Sequence, residues 1–161
     1  MAALCGAGGH WHQSKRSSSM SIAVITSYAA TRGPRHGLPR EVLAQLVRRA
    51  SQAGKTIAVC GCHDADDLLE CVGDPRGLGA EFLLVDARIR SPDPRRVEAC
   101  LQHLGVPWIE VDADPAGTRI AQPQAARVVD GYGSQGYVLA MSMALEQLGC
   151  AEYENDVHVG T

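Results

Sequence analysis

Acids and arginines gather where the apolar runs of this chain end. Asp86 closes the run Glu81-Phe82-Leu83-Leu84-Val85-Asp86, and Glu110 and Asp112 close Val106-Pro107-Trp108-Ile109-Glu110-Val111-Asp112. Arg88 and Arg90 follow the first of these runs, and Asp114 and Arg119 follow the second. An earlier run, Ser21-Ile22-Ala23-Val24-Ile25-Thr26, leads into Tyr28, Arg32, Arg35 and His36. A carboxylate can take a proton from carbon or oxygen, and an arginine can hold a carbonyl or the oxyanion that develops from it. Such a set suits a small polar or anionic molecule. In an extended strand Glu110 and Asp112 point to the same side. The candidate catalytic groups are therefore Asp86, Asp112, Glu110, Arg35 and His36. Tyr28, Arg88, Arg119 and Asp114 are the candidate substrate-binding groups. The plainer reading is that these are solvated loop charges in local ion pairs, each contributing little.

Two further motifs invite chemistry. Gly131-Tyr132-Gly133-Ser134-Gln135-Gly136 spells G-x-G-x-x-G, a pattern that in a first βα unit cradles a dinucleotide pyrophosphate. Here it stands before a final helix, without the continuation that would carry a ribose-binding acid. The spacing therefore reads as a structural turn, and no cofactor is expected. Cys60-Gly61-Cys62-His63 lacks a second ligand pair at zinc spacing, so no metal is expected either.

The elements that must position these groups follow from periodicity. Five apolar runs alternate with helical patterns, which predicts an α/β fold with a parallel sheet covered on both faces. The arrangement expected is a flavodoxin-like, doubly wound, five-stranded sheet of order 2-1-3-4-5. In such sheets ligands bind beyond the carboxyl ends of the strands where the order reverses. The strands expected are residues 21–26, 55–60, 81–86, 106–112 and 126–129. Pro39 opens the first helix, whose apolar face is Leu43, Leu46, Val47 and Ala50, and Gly54 ends it. Gly105 caps the helix carrying Val97, Cys100, Leu101 and Leu104.

Residues 1–19, rich in Ala, Gly and Ser, read as an unstructured extension ahead of Met20. Residues 20–150 form the α/β domain, and residues 151–161 a polar tail. The net charge of −3 and a single Phe leave neither a basic surface nor an aromatic platform for nucleic acid. No apolar run approaches the roughly 20 residues of a membrane span. The cysteines lie mostly in apolar runs, as reduced thiols of a cytoplasmic protein do.

The segment Gly131-Tyr132-Gly133-Ser134-Gln135-Gly136-Tyr137-Val138-Leu139-Ala140-Met141 resembles the closing G-L-G-x-x-G-Y-x-L-A-L of the type II 3-dehydroquinate dehydratases. Gly33-Pro34-Arg35-His36-Gly37 is similar to that family's G-T-R-E-P, and residues 106–112 resemble its V-P-x-x-E-V-H, with Glu110 as the glutamate. The resemblance runs collinearly over residues 22–149. It implies a lid arginine at Arg35 and the arginine of N-x-x-x-R at Arg119, no cofactor, and a homotrimer or a dodecamer of trimers.

The same comparison marks departures. The family's histidine segment T-H-T-S falls on Ser91-Pro92-Asp93-Pro94, and its catalytic tyrosine has no counterpart in the shortened loop before Leu38-Pro39. Asp86 stands for the family's asparagine and Asp112 for its substrate-binding histidine. These replacements lead to the expectation of a repurposed enzyme. It would act on a small oxygenated metabolite by proton abstraction, with elimination, isomerisation or cyclisation following, in specialised metabolism. The alternatives are a non-catalytic metabolite- or partner-binding relative, and an authentic dehydratase with relocated catalytic groups.

Overall fold

The computed structural model describes residues 2–5, 21–27, 37–73, 79–90, 93–113 and 128–150. Their strands are β1 (Ala2–Cys5), β2 (Ser21–Ser27), β3 (Thr56–Cys62), β4 (Ala80–Asp86), β5 (Trp108–Val111) and β6 (Val128–Val129). The helices are α1 (Arg40–Gln52), α2 (Ala65–Gly73), α3 (Ala87–Arg90), α4 (Pro94–Leu104) and α5 (Gly136–Gln147). All strand pairs are parallel, and the sheet order is β1-β3-β2-β4-β5-β6.

Strands β2 to β5 form the body of the sheet and carry its most apolar runs. Ile22, Ala23, Val24 and Ile25 of β2 are all fully buried, as are Leu84 and Val85 of β4. Burial on both faces explains why these runs do not alternate with polar residues. One layer, on the α1 and α5 side, holds Ile22, Val24, Leu46, Phe82, Leu84, Ile109 and Met141. The other, on the α2 and α4 side, holds Ala23, Ile25, Leu68, Leu83, Val85, Val97 and Leu101.

The sheet differs from the expected one in having a sixth strand. Ala2–Cys5, inside the stretch read as unstructured, pairs with Ile57–Cys60 of β3. A four-residue segment, Ala-Ala-Leu-Cys, carries too little periodicity to announce itself. Ala87–Arg90, directly after β4, is a single helical turn.

Helix ends follow local chemistry. Asp93 accepts the N–H of Arg96 and Pro94 fills the first turn of α4, while Gly105 takes a left-handed conformation (φ 65°) at its other end. Pro39 precedes α1, and Val42, Leu46 and Ala50 form its buried stripe, with Leu43 and Val47 packed beside them. Among the described residues no helix is long and apolar enough to cross a membrane.

Candidate active site

Strand β4 delivers Asp86 to the carboxyl edge of the sheet. Alternation with Phe82 and Leu84 turns it to the α5 side, where its side chain has no solvent exposure. A buried carboxylate is tolerated only when its lone pairs are met, and here they are. The backbone N–H of Ser27, at the end of β2, donates to Oδ2 at 3.2 Å. Arg88 donates through its backbone N–H and Nε to Oδ1 (2.9 and 3.2 Å) and through Nη2 to Oδ2 at 2.9 Å. The Tyr137 hydroxyl donates to Oδ2 at 2.9 Å. Asp86 thus ties together β2, α3 and α5 and fixes the Arg88 guanidinium in a two-pronged pair. Half of the Arg88 side chain, 51%, remains exposed.

The glycine turn explains how Tyr137 arrives there. Gly131 and Gly133 adopt left-handed conformations (φ 85° and 55°), which side chains other than glycine resist. At Gly136 the requirement is space: a Cβ would stand 3.1 Å from Val111 Cγ1. Together they start α5 directly on the ends of β5 and β6, with Tyr137 in its first turn. Burial raises the Tyr137 pKa well above that of an ordinary phenol; the Asp86 charge raises it further, Arg88 opposes this, and Asp112 adds to it.

The charges of Asp86, Arg88 and Asp112 therefore all act on one buried phenol. Asp112 is half-buried just beyond β5, and its backbone N–H donates to Val129 of β6 at 2.9 Å. Glu110 is separate: alternating with Ile109 and Val111, it leaves β5 on the side of Trp108 and α4. Tyr28, Arg35, His36, Asp114 and Arg119 lie outside the described residues. Tyr137 is the site residue that sequence reasoning missed, because a tyrosine in an apolar helix reads as core. Its signal was its place in the first turn after the glycine motif, on the edge where Asp86 ends a strand.

Cys60 and Cys62 of the C-x-C-H motif turn into the core, and His63 is exposed. Among the described residues no three His, Cys, Asp or Glu side chains are grouped to hold a metal ion. A hollow of about 440 Å³ lined by Leu101, Gln102, Gly105, Val106, Pro107, Trp108 and Gln147 opens at the amino end of β5. It carries no charged group and lies at the opposite end of the strand from Asp112.

No family model matches the sequence. Two curated 3-dehydroquinate dehydratases, of Pseudomonas savastanoi pv. phaseolicola and Pseudomonas syringae pv. tomato, are each 25% identical over 118 residues, covering 69% of this chain and 79% of the relative. Among solved structures, the type II dehydroquinase of Propionibacterium acnes superposes with a TM-score of 0.57 at 19% identity, over 78% of this chain and 97% of the other. The type II dehydroquinase of Butyrivibrio crossotus gives 0.53 at 16% identity over 79% and 98%. A 3-dehydroquinate dehydratase-like protein of Bifidobacterium longum gives 0.51 at 15% over 81% and 98%. The chain has the fold of the type II dehydroquinases, and its relatives in sequence are 3-dehydroquinate dehydratases.

Proposed function

We propose that this chain is an enzyme on the dehydroquinase scaffold, carried by residues 20–150, that acts on a small oxygenated metabolite. The reaction class is removal of a proton beside a carbonyl, with elimination, isomerisation or cyclisation following. The observation that carries the proposal is the arrangement at the carboxyl edge: Asp86 holds the half-exposed Arg88 guanidinium, and the charges of Arg88 and Asp112 both act on the same Tyr137 phenol. Arg88 then binds the carbonyl or its oxyanion, and Asp112 takes the proton. Asp86 is a positioning residue in this scheme. Arg35, His36, Tyr28, Arg119 and Asp114 are the further groups this reading assigns to the site, while Glu110, which leaves β5 on the α4 side, takes no part in the scheme.

Repurposing rests on the aspartates at the positions the resemblance gives to asparagine and histidine, and on Pro92 where it gives the catalytic histidine. A base and an acid each contribute about 10²–10⁴-fold. The test incubates the protein with 3-dehydroquinate and with a panel of small oxo-acids and polyhydroxy ketones in deuterated water. Exchange of a carbon-bound proton by NMR marks a substrate, and Asp112→Asn should slow that exchange about 10²–10⁴-fold while the protein stays folded. Full activity in Asp112→Asn sinks its role as base. Brisk conversion of 3-dehydroquinate to its conjugated enone sinks the repurposing.

A binding-only relative is the second reading, and the complete hydrogen bonding of Asp86 favours it. A saturable thermal shift with a panel member and no exchange or turnover would decide for it. The resemblance also supports a homotrimer or dodecamer in the cytoplasm, and light scattering of the purified protein tests the assembly.

A further inference from the structure

Three cysteines meet between β3 and α2, away from the edge just described. Cys60 and Cys62 stand two apart on β3, so both project to the α2 and α4 side, where they are 3% and 2% exposed. Cys71 of α2 packs against the same layer and is only half-buried. The neighbouring Cys60 and Cys62 thiols pull the Cys71 pKa down, with burial opposing them, while the Cys71 neighbour and burial push Cys62 up. Such a contact favours one thiolate flanked by two thiols.

The link between strand and helix is firmly built. Asp64 Oδ1 accepts the N–H of Asp67 at 3.0 Å, and Asp67 Oδ2 accepts the N–H of His63 at 2.8 Å. This reciprocal capping fixes how α2 leaves β3 and hence keeps Cys71 against the strand. A cluster intended only for packing needs no sulfur at all three positions. The half-exposed member is also the one whose thiolate the other two stabilise.

We propose that Cys71 is a peroxide-reactive thiol that closes an intramolecular disulfide with a β3 thiol, Cys60 or Cys62. The Cys71 thiolate attacks one oxygen of the peroxide and the O–O bond breaks. This gives a sulfenic acid on Cys71 and hydroxide, which leaves as water after taking a proton. The β3 sulfur then attacks Cys71 Sγ, the S–O bond breaks, and a second water departs. Two thiols lose two electrons and two protons, and one peroxide becomes two waters.

The test uses the full chain, reduced, freed of reductant and treated with one equivalent of hydrogen peroxide under native conditions. Free thiols are then alkylated, and the protein is digested with trypsin and with a protease cutting before aspartate. Asp64, Asp66 and Asp67 separate Cys71 from the β3 cysteines, so a cross-linked pair of peptides identifies the bond. The expected result is one disulfide joining Cys71 to the peptide of Cys60 and Cys62, with both Cys100 and Cys150 alkylated. Cys71→Ser, and Cys71→Ala as a second variant, should leave both β3 thiols alkylated. The proposal is overturned if wild-type Cys71 stays alkylated or is oxidised without a cross-link. It is equally overturned if Cys60 and Cys62 bridge each other as fast in a folded Cys71 variant as in the wild type.

Discussion

Tyr137 donates its phenolic hydrogen to Oδ2 of Asp86 at 2.9 Å, joining residues 51 positions apart in the chain. The tyrosine is 1% exposed and the aspartate fully enclosed, so neither group can exchange the other for water. Helix α5 is thereby pinned to the end of β4 by a polar contact inside an otherwise apolar seam. That seam couples the integrity of the fold to a residue the sequence presents only as a reactive acid.

Asp86→Asn should therefore destabilise the protein as well as silence it. The amide keeps the shape but turns one acceptor into a donor, facing Ser27 N–H, the Arg88 guanidinium or the Tyr137 hydroxyl. Allowing for the solvent exposure of Arg88, a loss of about 2–3 kcal/mol is expected by chemical denaturation. A variant as stable as the wild type would show that the five donors are dispensable.

Tyr137→Phe removes one donor and should cost about 1 kcal/mol near neutral pH. The native phenol has a raised pKa, so its contribution is whole below about pH 10, the ordinary value, and is lost as pH rises through the native one. Stability of the wild type should accordingly fall more steeply above pH 10 than that of Tyr137→Phe, and parallel curves would refute the shift.

Gly136→Val should cost more than Gly136→Ala, since even a methyl meets Val111 at 3.1 Å. A loss of about 1–3 kcal/mol is expected for the valine, and Gly133→Val should fall in the same range through its left-handed backbone. NAD or FAD should leave the Tm unchanged, and a saturable shift with either would return the glycine motif to dinucleotide binding.

Alkylation of Cys71 should depend little on pH between 6 and 9, because its pKa is lowered below that window. An unperturbed thiol would react about tenfold faster per pH unit until it approaches its pKa of about 8.5. Mass spectrometry of timed samples separates the two behaviours.

The sheet was legible wherever a run was apolar on both faces, as with Ile22 to Ile25 and Phe82 to Val85. Helix ends were legible where a proline or glycine marked them, as at Pro39, Gly54 and Gly105. The strand Ala2–Cys5 was not, because its pairing with β3 is a long-range choice that four residues do not encode. At the sheet edge, the positions of Asp86 and Arg88 were legible from their place after an apolar run. Their roles were not, since whether a carboxylate accepts a proton or holds a neighbour depends on donors from β2 and α5. Tyr137 was hidden by its apolar neighbours in the helix.

The opposite end of the sheet has its own fastening. Lys55 Nζ and Glu81 Oε2 lie 2.7 Å apart with side chains 9% and 27% exposed, spanning the start of β2 from β3 to β4. The register of β2 with β4 slips between Ser21 and Ile22, leaving Glu81 unpaired across the strands and its carboxylate directed to the lysine. A foundation anchored at this end holds the strand starts together independently of the contacts Asp86 makes at the other.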